Sequence, residues 1–278
     1  MIYKIIQPSP QLNSFVRDYL LLHFVFDKGH PVPIKPFPAN TQQCLVFYVR
    51  GSVTAFDPNS KKSILFPQIA VNGSITSRLD YSISHDCLLL SVNFHPDALS
   101  KFLRLPLTDL VDERIDAEAM LGPLAGIAYE RMVYSDSYES IVRIAEAFLW
   151  KRIQNLKADV HPIDQVARLI ASNPIQVKME EMASHACLSV SQFERRFIQL
   201  TGITPKFFSR INRFYSAYQI KDRNPGTDWL SIALQAGYHD YQHLVKDFKQ
   251  FANTSPKSLL DAQARSPERI LGIGCKRR

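Results

Sequence analysis

Two short stretches hold the side chains best suited to hydrogen-bond chemistry on a nucleic acid. In SVSQFERRFIQL the outward side offers Val190, Ser191, Gln192, Glu194 and Arg195, and in DYQHLVKDFKQF it offers Tyr241, Gln242, Val245, Lys246 and Lys249, with His239 and His243 close by. A guanidinium can donate two bonds to guanine, a primary amide can pair with adenine, and a carboxylate accepts from cytosine. Lys246 and Lys249, with Lys206 and Arg210, suit phosphate oxygens, which fix register without carrying sequence information. The competing reading is a solvated helix face. Glu194, which repels phosphate, could equally hold Arg195 or Arg196 in place.

Catalytic and metal chemistry find less support. His23, His30, His85 and His95 fall in the first 95 residues, but no two are one or four positions apart and no acidic residue completes a ligand set. Cys44, Cys87, Cys187 and Cys275 lie far apart without the paired spacing of a zinc site, so reduced thiols are expected. Neither a phosphate-binding glycine loop nor a nucleophile elbow is present. No catalytic residue, metal or cofactor is therefore expected. A metal-dependent, cupin-like catalytic domain carried on a DNA-binding module remains the alternative.

The elements that must position these side chains are short amphipathic helices. Asp240 sits where an N-cap would, with His243 three residues on, and Leu244, Phe248 and Phe251 form an inward stripe. Upstream, Asp228 can cap a helix through WLSIALQA with Leu230, Ala233 and Leu234 on its buried side, and Gly237 supplies a permissive turn. About fifty residues earlier the pattern repeats. Met182, Ala183 and Ala186 form a first buried side, Ser189 with Gln192 makes a capping box, and Phe193 and Phe197 form the stripe. Gly202 then ends the helix before Thr204 and Pro205 open another. The joining helix is expected from Pro205 to about Arg223, with Phe207, Phe208, Ile211, Phe214, Tyr215 and Tyr218 at helical spacing.

The strings GYHDYQHLVKDFKQFANTSPKSL and SVSQFERRFIQLTGITPK, at this separation, resemble the AraC/XylS family of bacterial transcription regulators over about the last 100 residues. The resemblance implies two helix-turn-helix units on one long helix, with recognition helices in successive major-groove segments of one DNA face. Aligned on Phe193 and Phe197, the family's base-reading positions fall on Ser191, Glu194 and Arg195. In the second unit they fall on Tyr241, Gln242 and Lys246. Two departures stand out: Tyr241 replaces a common glutamine, and Cys187 replaces a common glycine in the first turn.

Charge agrees with this division. Residues 161–278 carry 17 Lys plus Arg against 10 Asp plus Glu, whereas residues 1–160 carry 16 of each, so the whole +7 excess lies in the C-terminal part. The 278 residues suit two domains, and no apolar run approaches the roughly 20 residues needed to span a bilayer. With no secretory signal at Met1, a cytoplasmic protein is expected.

The first 95 or so residues read as strands: YLLLHFVF, QCLVFYV, SVTAF, SILFPQIAV, SITSRL and CLLLSVNF. Helices are expected next, from Pro96 in PDALSKFLRL, around EAMLGPLAGIAYERMV, and through SYESIVRIAEAFLWKRI, whose apolar side could pack within the chain or against a second subunit. The expected fold class is α+β in two domains. A β-rich cupin-like barrel or sandwich with trailing helices spans 1–158, an all-α DNA-binding domain spans 159–262, and a basic tail spans 263–278, whose last three basic residues either add phosphate attraction or fray as a solvated terminus. The N-terminal layout is similar to a sensor-like domain of some family members with no assigned ligand. The resemblance implies a promoter duplex as partner, with a small effector or partner acting on the N-terminal domain, a homodimer, and RNA polymerase if the protein activates. No membrane contact is expected.

Overall fold

The computed structural model describes residues 1–154, 156, 161–173 and 178–273. Its strands are β1 (Ile2–Ile6), β2 (Val16–Val25), β3 (Lys35–Phe37), β4 (Cys44–Arg50), β5 (Val53–Phe56), β6 (Ser63–Leu65), β7 (Ile69–Asn72), β8 (Leu79–Ile83), β9 (Asp86–Phe94) and β10 (Arg114–Asp116). Four helices accompany them, α1 (Ala98–Leu103), α2 (Ala117–Leu121), α3 (Pro123–Val133) and α4 (Tyr138–Ile153). The C-terminal part contains α5 (Pro162–Ser172), α6 (Met179–His185), α7 (Val190–Thr201), α8 (Pro205–Arg223), α9 (Trp229–Gln235), α10 (Tyr241–Ala252), α11 (Pro256–Gln263) and α12 (Pro267–Ile270).

The strands form two antiparallel sheets, ordered β1-β2-β9-β4-β7-β10 and β3-β8-β5-β6. Successive side chains point to opposite faces of a strand, so β4 serves two cores. Leu45, Phe47 and Val49 join the core under the helices, while Val46 and Tyr48 join a smaller core between the sheets. Against the helix side α4 lays Ile141, Val142, Ala145, Phe148, Leu149 and Ile153, and Phe148 meets Phe47 edge-on at 6.2 Å. The apolar side of α4 therefore packs within the chain. Each such buried ring contributes on the order of 1.5–3 kcal/mol relative to leaving it in water.

The helical part has one core built on α8. From that helix Phe208 meets Phe197 of α7 at 5.3 Å, and Phe214 meets Phe248 of α10 at 4.8 Å. The two parts are joined by ion pairs: Arg168 of α5 grips Asp97 with Nε at 2.6 Å and Nη2 at 2.9 Å, and Lys101 of α1 reaches Asp164 at 2.5 Å.

Several expectations need correction. Pro96 lies outside α1, which Asp97 precedes as N-cap. SILFPQIAV is cut into β6 and β7, in different sheets, because Pro67 cannot donate to a ladder. In SITSRL only Ile75 bridges, to Asn40, before β8 opens at Leu79. Leu230 and Leu234 are 52% and 56% exposed; α9 instead buries Ile232 and Ala233, with Trp229 half-buried against Phe248. Met182 is only half-buried, and Met179 takes the deeper position. The start of the expected tail packs on the rest of the chain. Ser266, Pro267 and Glu268 are buried, Arg269 pairs with Asp222 at 2.5 Å, and Glu268 forms an ion pair with Lys35 of β3. The boundary at 158/159 and Cys275 to Arg278 lie outside the described residues.

Candidate nucleic-acid interface

Each recognition helix begins on a side-chain cap that frees its first turn to face outward. Ser189 accepts from the Gln192 amide at 3.3 Å while Gln192 Oε1 accepts from the Ser189 amide at 3.1 Å, which is the expected capping box. In the second unit Asp240 accepts from the His243 amide at 2.8 Å, and the His243 ring turns back to the same carboxylate at 2.9 Å. Those bonds, the amide's first, hold the Asp240 carboxyl below the usual carboxylate range. Asp228 caps α9 and is likewise lowered, chiefly by the Ser231 hydroxyl at 2.6 Å. A capped N-terminus is also the electropositive end of a helix, so both units present it outward.

The turns preceding these helices match in backbone and differ in chemistry. Gly237 sits at φ +82°, where glycine is unstrained, while Cys187 holds φ +55° with a full side chain, exposed, in the first unit. An L-residue in that region costs roughly 1–2 kcal/mol, partly offset by the extra unfolded-state entropy of a glycine. Cys187→Gly is expected to raise the unfolding free energy by about 0.5–1 kcal/mol, read as a higher denaturation midpoint at unchanged slope. Cys187→Val is expected to lower it, and a neutral glycine variant would show that the turn is unstrained. The units also end alike, with Gly202 at φ +83° and Asn253 at φ +50°.

Of the sequence-predicted site residues, Ser191, Gln192 and Arg195 are exposed on the first half of α7, and Glu194 is half-buried beside them. Among the described residues no ion pair joins Glu194 to Arg195 or Arg196. Arg196 Nη1 lies 2.7 Å from Nε2 of His161, whose Nδ1 meets the Ile163 amide at the start of α5, and a neutral ring accepts only one of these two bonds. On α10, Tyr241, Gln242, Lys246 and Lys249 are exposed, and Lys206 is exposed at the start of α8. Three expected contacts are already engaged inside the domain. Gln192 spends its acceptor on the cap, His243 is turned to Asp240, and Arg210 donates to Asp247 at 2.5 Å and to Gln250 at 2.8 Å with its guanidinium over Phe251. Arg210 shares Asp247 with Arg213, one carboxylate between two guanidiniums, so the cluster keeps an excess positive charge.

The residue that sequence reasoning missed is Asp247. It is 4% exposed, accepts from Arg210 and from the Tyr238 hydroxyl at 2.9 Å, and lies 3.7 Å from Arg213, which stacks on Tyr238. This carboxylate pins α10 to α8 and to its own turn. Burial, and then Asp247, push the Tyr238 phenol above its ordinary range, so it stays a donor. The only local signal was an acidic residue on the inward side of an otherwise apolar stripe.

A cavity of about 220 Å³ opens between the two sheets and reaches the helical part. Leu20, Leu22, Phe24, Val46 and Leu89 give it an apolar wall, and Tyr215, Pro267 and Glu268 close its far end. Its charged groups are paired, Arg17 with Asp18 at 2.7 Å and Lys35 with Glu268. Among the described residues no group of three or more His, Cys, Asp or Glu side chains is placed to share a metal ion. His23 instead contacts Tyr138 at 2.7 Å and Asp86 at 2.9 Å.

Residues 182–262 match the model of a helix-turn-helix domain, and residues 4–116 match that of a domain of unknown function. No curated protein matches the chain. Among solved structures it is similar to ToxT from Vibrio cholerae O395, with 15% identity, 90% of this chain and 98% of that one covered, and a TM-score of 0.45. ToxT from the same strain bound to (E)-4-(8-methylnaphthalen-1-yl)but-3-enoic acid gives 12%, 87%, 99% and 0.48. The DNA-binding domain of AdpA in complex with a target DNA gives 24%, 39%, 99% and 0.35. The duplicated unit, its placement on one joining helix and the helix-turn-helix match over residues 182–262 give the C-terminal part the architecture of an AraC-type DNA-binding domain.

Proposed function

We propose that this regulator binds a bipartite promoter site through α7 and α10 and that a small amphipathic effector in the inter-sheet cavity controls that binding. The observation that carries the reading is that one cavity is lined by strands of the N-terminal part and by Tyr215, Pro267 and Glu268 of the helical part. Its occupant therefore contacts both, and a ligand can shift an equilibrium only through such differential contacts. At about 220 Å³ the cavity falls below the roughly 300–1,000 Å³ typical of drug-sized ligands, so the effector is small. An apolar body fits the Leu20, Leu22 and Phe24 wall, and a polar head placed at Lys35 competes with Glu268 for it.

Within this reading Arg195 reads a base in one half-site, with Ser191 and Glu194 beside it, and Tyr241, Gln242 and Lys246 serve the other. Lys206 and Lys249 meet phosphates. The exposed Ile127, Val133 and Tyr134 on and after α3 extend the proposal to a homodimer, and an activating role adds RNA polymerase as a partner. The protein acts where its promoter is, in the cytoplasm.

The test is a thermal-shift panel of small alkyl and aryl acids, amines and alcohols, followed by DNA titration with and without any ligand that binds. A ligand at a hundredfold its Kd is expected to stabilise the protein by about 2.7 kcal/mol and to change DNA affinity, and Val46→Phe, which fills the cavity, is expected to remove both effects. A ligand that stabilises the protein while leaving DNA affinity untouched would contradict effector control through this cavity.

A further inference from the structure

The end of a helix leaves its last carbonyls without intrahelical donors, and where those donors come from reveals what holds the helix in place. At the end of α7 the donors are supplied by the N-terminal part. The Leu107 amide donates to Gln199 O at 2.9 Å, Gln43 Nε2 to Leu200 O at 3.2 Å, and Ser74 Oγ to Thr201 O at 3.0 Å. At the end of α10 the N-terminal part supplies one such donor, and the C-cap residue donates back to it. The Ala39 amide donates to Phe251 O at 2.9 Å, and Asn253 Nδ2 donates to Asn59 Oδ1 at 3.0 Å. Between them Thr41 Oγ1 donates to Asn212 Oδ1 of α8 at 2.7 Å. One short segment, residues 39–43, thus touches α10, α8 and the end of α7 in turn, and both Ala39 and Gln43 are buried. The approach at α7 is tight: a Cβ on Gly202 would lie 2.7 Å from Leu107 O and 2.5 Å from Val111 Cγ2.

We infer that residues 39–43 act as a strut that fixes the separation of the two recognition helices, and hence the half-site spacing the protein accepts. The inference rests on the DNA-binding reading above. Lengthening the spacer by one base pair moves the second half-site by about 3.4 Å and turns it by roughly 35° around the duplex. Packing on α8 alone resists such a displacement through side-chain contacts. The strut adds hydrogen bonds at both far ends of the pair, so the displacement must break them. Residues 40, 42 and 44 of the same stretch line the cavity while residues 39, 41 and 43 bond the helices, so spacing tolerance is the property through which a cavity ligand acts on DNA recognition.

Gln43, Thr41 and Ser74 are therefore positioning residues that touch no base. The test uses the full-length protein and the triple variant Gln43→Met, Thr41→Val, Ser74→Ala, which removes three hydrogen bonds at nearly constant volume. Both are titrated with duplexes carrying two selected half-sites whose spacer is shortened or lengthened by one base pair, at fixed salt. The wild type is expected to bind the altered spacings at least about tenfold more weakly than the preferred one, and the variant to reduce that discrimination to about threefold or less. Base preference inside each half-site is expected to stay the same. A variant that keeps the wild-type spacing profile, or that loses affinity equally at every spacing while melting as a folded protein, overturns the inference. Should the wild type enrich no paired half-sites, the DNA-binding reading itself fails and the strut falls with it.

Discussion

Asp247→Ala is expected to lower stability by about 3 kcal/mol and to erase recognition of one half-site while leaving the other. The carboxylate is 4% exposed and is shared by Arg210, Arg213 and Tyr238. Removing one member of a buried charged group leaves the others without a counter-charge, which costs roughly 3–5 kcal/mol. The lower end applies here, because the Arg210 side chain is 39% exposed and can turn to water. Losing the carboxylate also frees α10 from α8 at the middle of its length, so the second recognition helix loses its aim. Asp247→Asn keeps an acceptor for Tyr238 and is expected to cost less. Denaturant unfolding combined with sequencing of selected duplexes checks both effects, and an alanine variant with wild-type stability and an intact bipartite site would refute the assignment of Asp247 as the pin.

Arg195→Ala is expected to weaken binding by about 10- to 100-fold and to relax base preference at one position of the first half-site, because a bidentate guanidinium contact is worth roughly 1–3 kcal/mol of discrimination. Arg195 is exposed, and among the described residues no carboxylate pairs with it. Lys246→Ala lies on α10 and removes one cation. Should Lys246 meet only phosphate, affinity falls nearly uniformly across sequences and the log–log salt slope shrinks by about 0.9; base readout would show instead as altered preference in the second half-site. Salt titrations of selected and scrambled duplexes separate the two outcomes. An Arg195 variant with unchanged selectivity would remove that residue from the site.

What the sequence made legible was local. Caps and turns are fixed by residues three positions apart, so Ser189 with Gln192, Asp240 with His243, and Asp228 as the cap of its helix could be read before any fold was known. The joining helix was legible for the same reason, being opened by Thr204 and Pro205. What stayed hidden depended on distant partners. Asp247 finds Arg210 37 positions away, and Lys35 finds Glu268 233 positions away, and neither pairing leaves a periodic trace. Leu230 and Leu234 misled because they stand four apart, the spacing of a buried face, yet in a seven-residue helix phase is set by its neighbours and Ile232 and Ala233 turned inward. The short strands β1, β3 and β10 were missed because three to five residues carry little alternation, and their pairing is decided by longer partners such as β2 and β7.

The most direct test of the central claim is selection of random duplex DNA by the full-length protein at fixed salt, with the Arg195→Ala and Lys246→Ala variants in parallel. Two units on one joining helix predict a bipartite site whose halves lie about one helical turn, roughly 10 base pairs, apart, with the Arg195 variant altering only one half. Enrichment of a single uninterrupted motif, or of none both with and without a ligand shown to bind the cavity, would contradict the account.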